Sequence, residues 1–97
     1  MKVEYSRRAV ADLRKISADS RRTFGNRVVE ALESRIRTVV ERISREPLSA
    51  PKVEQLPGIH VVSLIRYPFK IFYRIIDDRI RILHIRHTAR RPWRGGA

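Results

Sequence analysis

Lys70, Arg74, Arg86, His87 and Arg90 fall in or just after the last two β-rich runs of the chain. These are the residue types that RNA cleavage without a metal would need. Such a reaction takes a proton carrier near the 2′-hydroxyl and the leaving oxygen, with cations to hold the charge of the phosphorane. His87 is the natural proton carrier, because an unperturbed imidazole titrates near neutrality. The plainer reading is that His87 closes a strand and bonds a backbone carbonyl. No catalytic signature of fixed spacing separates the two. A second reading is protein recognition, in which strands flanked by arginine grip an acidic, extended segment. Arg66, Arg81, Arg90, Arg91 and Trp93 are its candidate contact residues. A third is binding of nucleic acid through phosphates, although no helix-turn-helix, RNA-recognition or zinc-finger pattern is present.

The remaining polar residues carry less. Trp93 lies in Arg90-Arg91-Pro92-Trp93-Arg94. It could stack on a base, plug a partner's pocket or fold back on the helices as a terminal anchor. His60 and His84 read as ordinary strand residues, and Asp77-Asp78 as a turn. The chain has no cysteine, so thiolate zinc sites and disulfides are excluded. Neither a metal nor a cofactor is expected.

These residues must be positioned by a small set of elements. Val3-Glu4-Tyr5 alternates as a short strand. Ser6 is a good N-cap, and Ala9, Val10, Leu13 and Ile16 then recur at helical spacing. Ser17-Ala18-Asp19-Ser20 predicts the end of that helix. A second helix is expected over roughly 21–45, with Phe24, Val28, Leu32, Ile36, Val39, Val40 and Ile43 as its apolar stripe. Gly25 should weaken its first turns. Pro47, Pro51 and Pro57 make 47–58 a loop. Strands follow near 59–66, 69–76 and 79–87, with Tyr67-Pro68 and Asp77-Asp78 as two-residue turns. In the last strand Ile80, Ile82 and His84 should share one face, and Arg81, Leu83, Ile85 and His87 the other. Apolar residues on both faces predict a central strand that is half-covered on its second side. The order is β-α-α-β-β-β. The expected fold is α+β, an antiparallel sheet packed on one face by an N-terminal helical hairpin.

At 97 residues the chain is one domain, 1–97, with a basic C-terminal tail from about 88. Lys and Arg total 22 against 10 acids, a net charge of +12. Such a field draws in nucleic acid, an acidic protein or an anionic membrane. An apolar fraction of 42% is enough to fold, so a disordered basic tail is excluded. The opening residues hold no apolar run of the signal-peptide kind, and no stretch is long enough to span a bilayer. A cytoplasmic location and no membrane partner are therefore expected.

Four stretches together resemble the RelE/ParE superfamily of toxins from type II toxin–antitoxin modules. Val3-Glu4-Tyr5-Ser6 with Ala9, Asp12-Leu13 and Ile16 is similar to the family's opening strand and helix. Glu46-Pro47 is similar to the end of its second helix, and Pro57-Gly58-Ile59-His60-Val61 to the approach to its sheet. Tyr67 to Arg74, then Ile80 to His87 with Arg90, is similar to its last two strands. The resemblance covers nearly the whole chain and implies the same β-α-α-β-β-β order. It implies a toxin of a plasmid-stabilisation (addiction) module, neutralised by a cognate acidic ParD-like antitoxin that represses its own operon, so that operator DNA is met only through the antitoxin. The Tyr-Pro turn and the Ile71-Phe72-Tyr73 run resemble the ParE-like branch, whose members inhibit DNA gyrase. RelE-like members instead cut messenger RNA on the ribosome without a metal. Where they carry a catalytic arginine in the third strand, this chain has Lys70. Their second arginine falls near Arg90, and their terminal tyrosine is absent, with Trp93 the nearest aromatic. The resemblance thus implies a non-catalytic gyrase inhibitor first, with a ribosome-dependent endoribonuclease as the alternative.

Overall fold

The computed structural model describes residues 1–89, 93 and 95. Six elements follow in order: β1 (Lys2–Tyr5), α1 (Arg7–Phe24), α2 (Asn26–Arg45), β2 (Ile59–Ser63), β3 (Phe69–Ile76) and β4 (Arg79–His87). The strands form one sheet in the order β1-β4-β3-β2. The α+β class and the element order are those expected. The sheet is mixed rather than wholly antiparallel: β2, β3 and β4 form an antiparallel meander, but β1 runs parallel to β4. Direction follows from connectivity. β4 points the same way as β2, and β1 enters the sheet only after the helical hairpin has separated it from the meander.

Ser6 caps α1 as expected: its Oγ accepts from the Ala9 N–H at 3.0 Å and donates to the Leu83 carbonyl at 2.9 Å. The helix does not stop at residues 17–20. Ser17 Oγ donates to Glu33 on α2 at 2.9 Å, and Asp19 pairs with Lys15 and Arg22 at 3.7 and 2.6 Å. Spacings of three and four residues make such a polar cluster supportive of a helix. The break comes at Gly25, at φ 87° and ψ 175°, a backbone region essentially confined to glycine. Gly25 is therefore the junction between two helices and not a weak point inside one. Phe24 accordingly ends α1 with 67% exposure and is not part of the α2 stripe, while Val28 is 39% exposed and Val29 takes its place in the core.

From Leu32 to Ile43 the stripe is buried as expected, packed with Ala9 against Ile71, Tyr73, Ile80, Ile82 and Ile85 of the sheet. The Tyr73 hydroxyl satisfies itself on the Pro47 carbonyl at 2.6 Å. A smaller cluster of Leu56, Ile59 and Phe72 occupies the sheet's outer face, joined by Val53, Val61, Leu83 and Trp93. β4 is central, as its apolar residues on both faces required, and the 47–58 loop and Trp93 supply the half-cover.

Two local expectations change. β2 ends at Ser63, and residues 64–68 form a longer loop in place of a Tyr67-Pro68 turn; Arg66 sits at φ 75° and Phe69 N–H donates to the Tyr67 carbonyl. The Asp77-Asp78 turn is as expected, with Ile76 opposite Arg79. In β4, Phe72 pairs with His84 but Tyr73 with Ile82. Leu83 is thus an extra residue, a β-bulge. It shifts the alternation, so that Ile85 joins Ile80 and Ile82 on the helix side and His84 stacks on Phe72.

Candidate functional site

The bulge decides where the cationic residues go. On β3, Phe69, Ile71, Tyr73 and Ile75 belong to the helix-side core, so Lys70, Phe72 and Arg74 lie on the outer face. There Lys70 stands opposite Arg86, and Arg74 opposite Arg81. His87, beyond the bulge, pairs with Phe69 and meets its ring edge-on at 5.4 Å. It thus shares the helix side of the sheet, across from Lys70 and Arg74. Its Nδ1 accepts the Ala89 N–H at 3.0 Å. A neutral His87 therefore carries its proton on Nε2, leaving no free basic nitrogen. Of the five residues with cleavage chemistry, the structure brings Lys70 and Arg86 together, holds Arg74 further along the outer face, and turns His87 to the opposite side. Arg90 and Arg91 lie outside the described residues.

His87 and Arg86 instead line a groove of about 710 Å³ between α1, the start of α2 and the 64–68 loop. Phe24, Val28, Tyr67 and Phe69 make it largely apolar, and Arg66 stands in its wall. Phe24 is exposed there because Gly25 turns the chain directly after it. Arg81 lies on the outer face, at the other end of the sheet from Arg66.

Trp93 folds back, mainly on the sheet's outer face, with the start of α1 beside it. It meets Phe72 edge-on at 4.9 Å and His84 at 5.2 Å, with the Arg8 guanidinium 5.9 Å from its ring. Both other histidines have structural partners. His60 stacks on Tyr73 and contacts the Ala50 carbonyl through Nδ1 at 2.9 Å. His84 is buried, its Nδ1 2.6 Å from Asp12 Oδ2. Burial pushes the His84 pKa below its ordinary value, against the opposing pull of the Asp12 carboxylate. The neutral ring donates from Nδ1, and its buried Nε2 has no partner among the described residues.

Asp12 has a role that a reading of cationic residues does not reveal. The same oxygen that takes His84 also accepts the Ile85 N–H at 3.0 Å. β1 ends at Tyr5, so β4 beyond Ile82 lacks a strand on that side. Ser6 bonds the Ile82 and Leu83 carbonyls, and Asp12 takes the next free amide. α1 thereby completes the edge of β4. The available signal was an acid set among Ala9, Leu13 and Ile16, on the apolar stripe of an amphipathic helix.

The comparisons with known proteins agree with this architecture. The family profile described as ParE toxin of type II toxin-antitoxin system, parDE, matches residues 3–92. No curated protein sequence matches the chain. Among solved structures, the chromosomal ParDE toxin–antitoxin system from P. aeruginosa is similar at a TM-score of 0.81 and 25% identity, over 91% of this chain and 96% of that one. The RelBE toxin–antitoxin complex of Mycobacterium tuberculosis is similar at 0.60 and 26%, over 89% and 95%. The intact E. coli RelBE complex shares the fold at 0.60 and 20%, over 93% and 98%. With a profile match spanning nearly its whole length and the fold to go with it, the chain belongs to the ParE toxin family of type II toxin–antitoxin systems.

Proposed function

We propose that this ParE-family toxin acts by protein contact, inhibiting DNA gyrase, and that a cognate acidic ParD-like antitoxin neutralises it. The observation that carries this reading is the position of His87: across the sheet from Lys70 and Arg74, with Nδ1 occupied by Ala89. A nuclease would need a proton carrier and cations around one phosphate, and this arrangement sets Lys70 and Arg74 on the face away from His87, leaving Arg66 and Arg86 as the arginines of its groove. The apolar groove with Arg66 and Arg86 in its walls suits an amphipathic acidic segment of the antitoxin, with apolar anchors inside and carboxylates at the edge. Both encounters belong to a cytoplasmic setting, and operator DNA is reached through the antitoxin.

The test is plasmid supercoiling by purified gyrase with increasing toxin. Loss of supercoiling activity, restored by antitoxin, is expected; full activity at saturating toxin would end this reading. The pairing of Lys70 with Arg86 favours a second one, cleavage of messenger RNA on the ribosome as in the RelE-like branch. It predicts codon-phased cuts on primer extension that disappear in Arg86→Ala and His87→Ala. An absence of cuts removes it.

A further inference from the structure

The outer face of the sheet holds a second concavity, of about 520 Å³, remote from the His87 groove. Leu56 and Leu83 give it an apolar floor, Trp93 forms one wall, and Arg8, Arg74 and Arg81 reach into it. No aspartate or glutamate among the described residues lines it. Arg74 and Arg81 face each other directly across β3 and β4, a like-charge placement that destabilises a sheet. Among the described residues, neither guanidinium is in an ion pair. Arg74 donates one long bond, 3.3 Å, to the Pro57 carbonyl, and Arg81 has no hydrogen bond or ion pair among the described residues. Glu4, in register with Arg81, gives its carboxylate to Arg79 at 3.3 Å.

We propose that this cavity binds a small organic anion: an oxyanion head, carboxylate or phosphate, on a compact apolar body. Two opposed guanidiniums present planar forks that match either head in bidentate fashion. The head would relieve the repulsion between Arg74 and Arg81, and the body would displace water from Leu56, Leu83 and Trp93. The surrounding apolar surface strengthens each charge–charge contact by lowering the local dielectric. This inference stands apart from gyrase inhibition: Arg74 enters that argument only by lying across the sheet from His87, and Arg8, Leu56, Arg81, Leu83 and Trp93 do not enter it.

The test is calorimetric titration of the full chain at constant ionic strength with four probes: N-acetyl-leucine, phenyl phosphate, acetate and inorganic phosphate. Trp93 is the only tryptophan, so its fluorescence gives an independent readout. At least one organic probe should saturate about tenfold more tightly than the bare anion with the same head, which corresponds to about 1.4 kcal/mol. The tighter of the two organic probes identifies the head. Arg74→Ala and Arg81→Ala should each weaken binding about tenfold or more, as expected for a lost charged hydrogen bond. Arg81→Lys keeps the charge but loses the fork, and should fall between. Arg37→Ala, on the exposed side of α2, should leave binding unchanged. Lack of saturation by both organic probes, equal affinity for the bare anions, or an equal loss in Arg37→Ala would each overturn the proposal.

Discussion

Asp12 accepts two hydrogen bonds at the edge of β4, from His84 and from the Ile85 backbone. Asp12→Ala strands both donors, and each unsatisfied group costs about 1–3 kcal/mol. We expect a stability loss of about 2–4 kcal/mol in urea unfolding on that basis. Asp12→Asn should lose less, since its amide oxygen can still accept. His84 adds a pH dependence. Its folded pKa lies below the ordinary 6.5 because burial penalises the charged ring. The unfolded chain therefore binds the proton first as pH falls, and protonation favours unfolding. Its contribution is intact above about pH 6.5, declines as pH drops from there through the lower folded pKa, and then levels off. Unfolding free energies across pH 8 to 4 should show that decline, and His84→Gln should flatten it.

Among the elements, the helical hairpin offers the sharpest test. A Cβ on Gly25 would meet nothing within 4 Å, but the residue holds φ +87°. Gly25→Ala should therefore cost about 1–3 kcal/mol from backbone strain alone, measured as a lower urea midpoint at unchanged slope. Deleting Leu83 removes the bulge but should leave the core faces intact, because Tyr73 already stands opposite Ile82 and Phe72 opposite His84. The loss should be the Leu83 side chain from the outer cluster and the Ser6 Oγ bond to its carbonyl, read as a lower urea midpoint with near-UV circular dichroism retained. These two positions also explain what could be read in advance. The bounds of β3 and β4 were legible because β-branched and aromatic runs end at turn residues. The α1–α2 boundary was misplaced because serines and an aspartate signal a helix end and also make helical i,i+3 and i,i+4 pairs. The split of the cationic set was illegible because one extra residue, Leu83, reverses the faces of everything after it, and strand patterning alone does not mark a bulge. The parallel neighbour β1 was illegible because strand order is a long-range property.

For the molecule as a whole, a net charge of +12 governs encounters more than it governs the fold. Association with an acidic antitoxin should be steered by this field, so its on-rate should fall as salt rises past about 0.1 M, where screening reaches within ~10 Å. The off-rate should change little on the proposed docking, in which apolar contacts in the groove would hold the complex. Stopped-flow mixing at several ionic strengths separates the two, and a salt-insensitive on-rate would deny the charge this role. Of the described residues, no helix is long and apolar enough to cross a membrane.

The parallel pairing of β1 with β4 also bears on the order of synthesis. The first strand made must wait for the last, and the α2 stripe packs on β3 and β4 residues that do not yet exist when the hairpin emerges. A nascent chain that stops short of β4 has two helices with uncovered apolar faces and no sheet to dock them on. Contacts of such long sequence separation form slowly. The fold is therefore completed in one late step, once β4 is available to both β1 and β3.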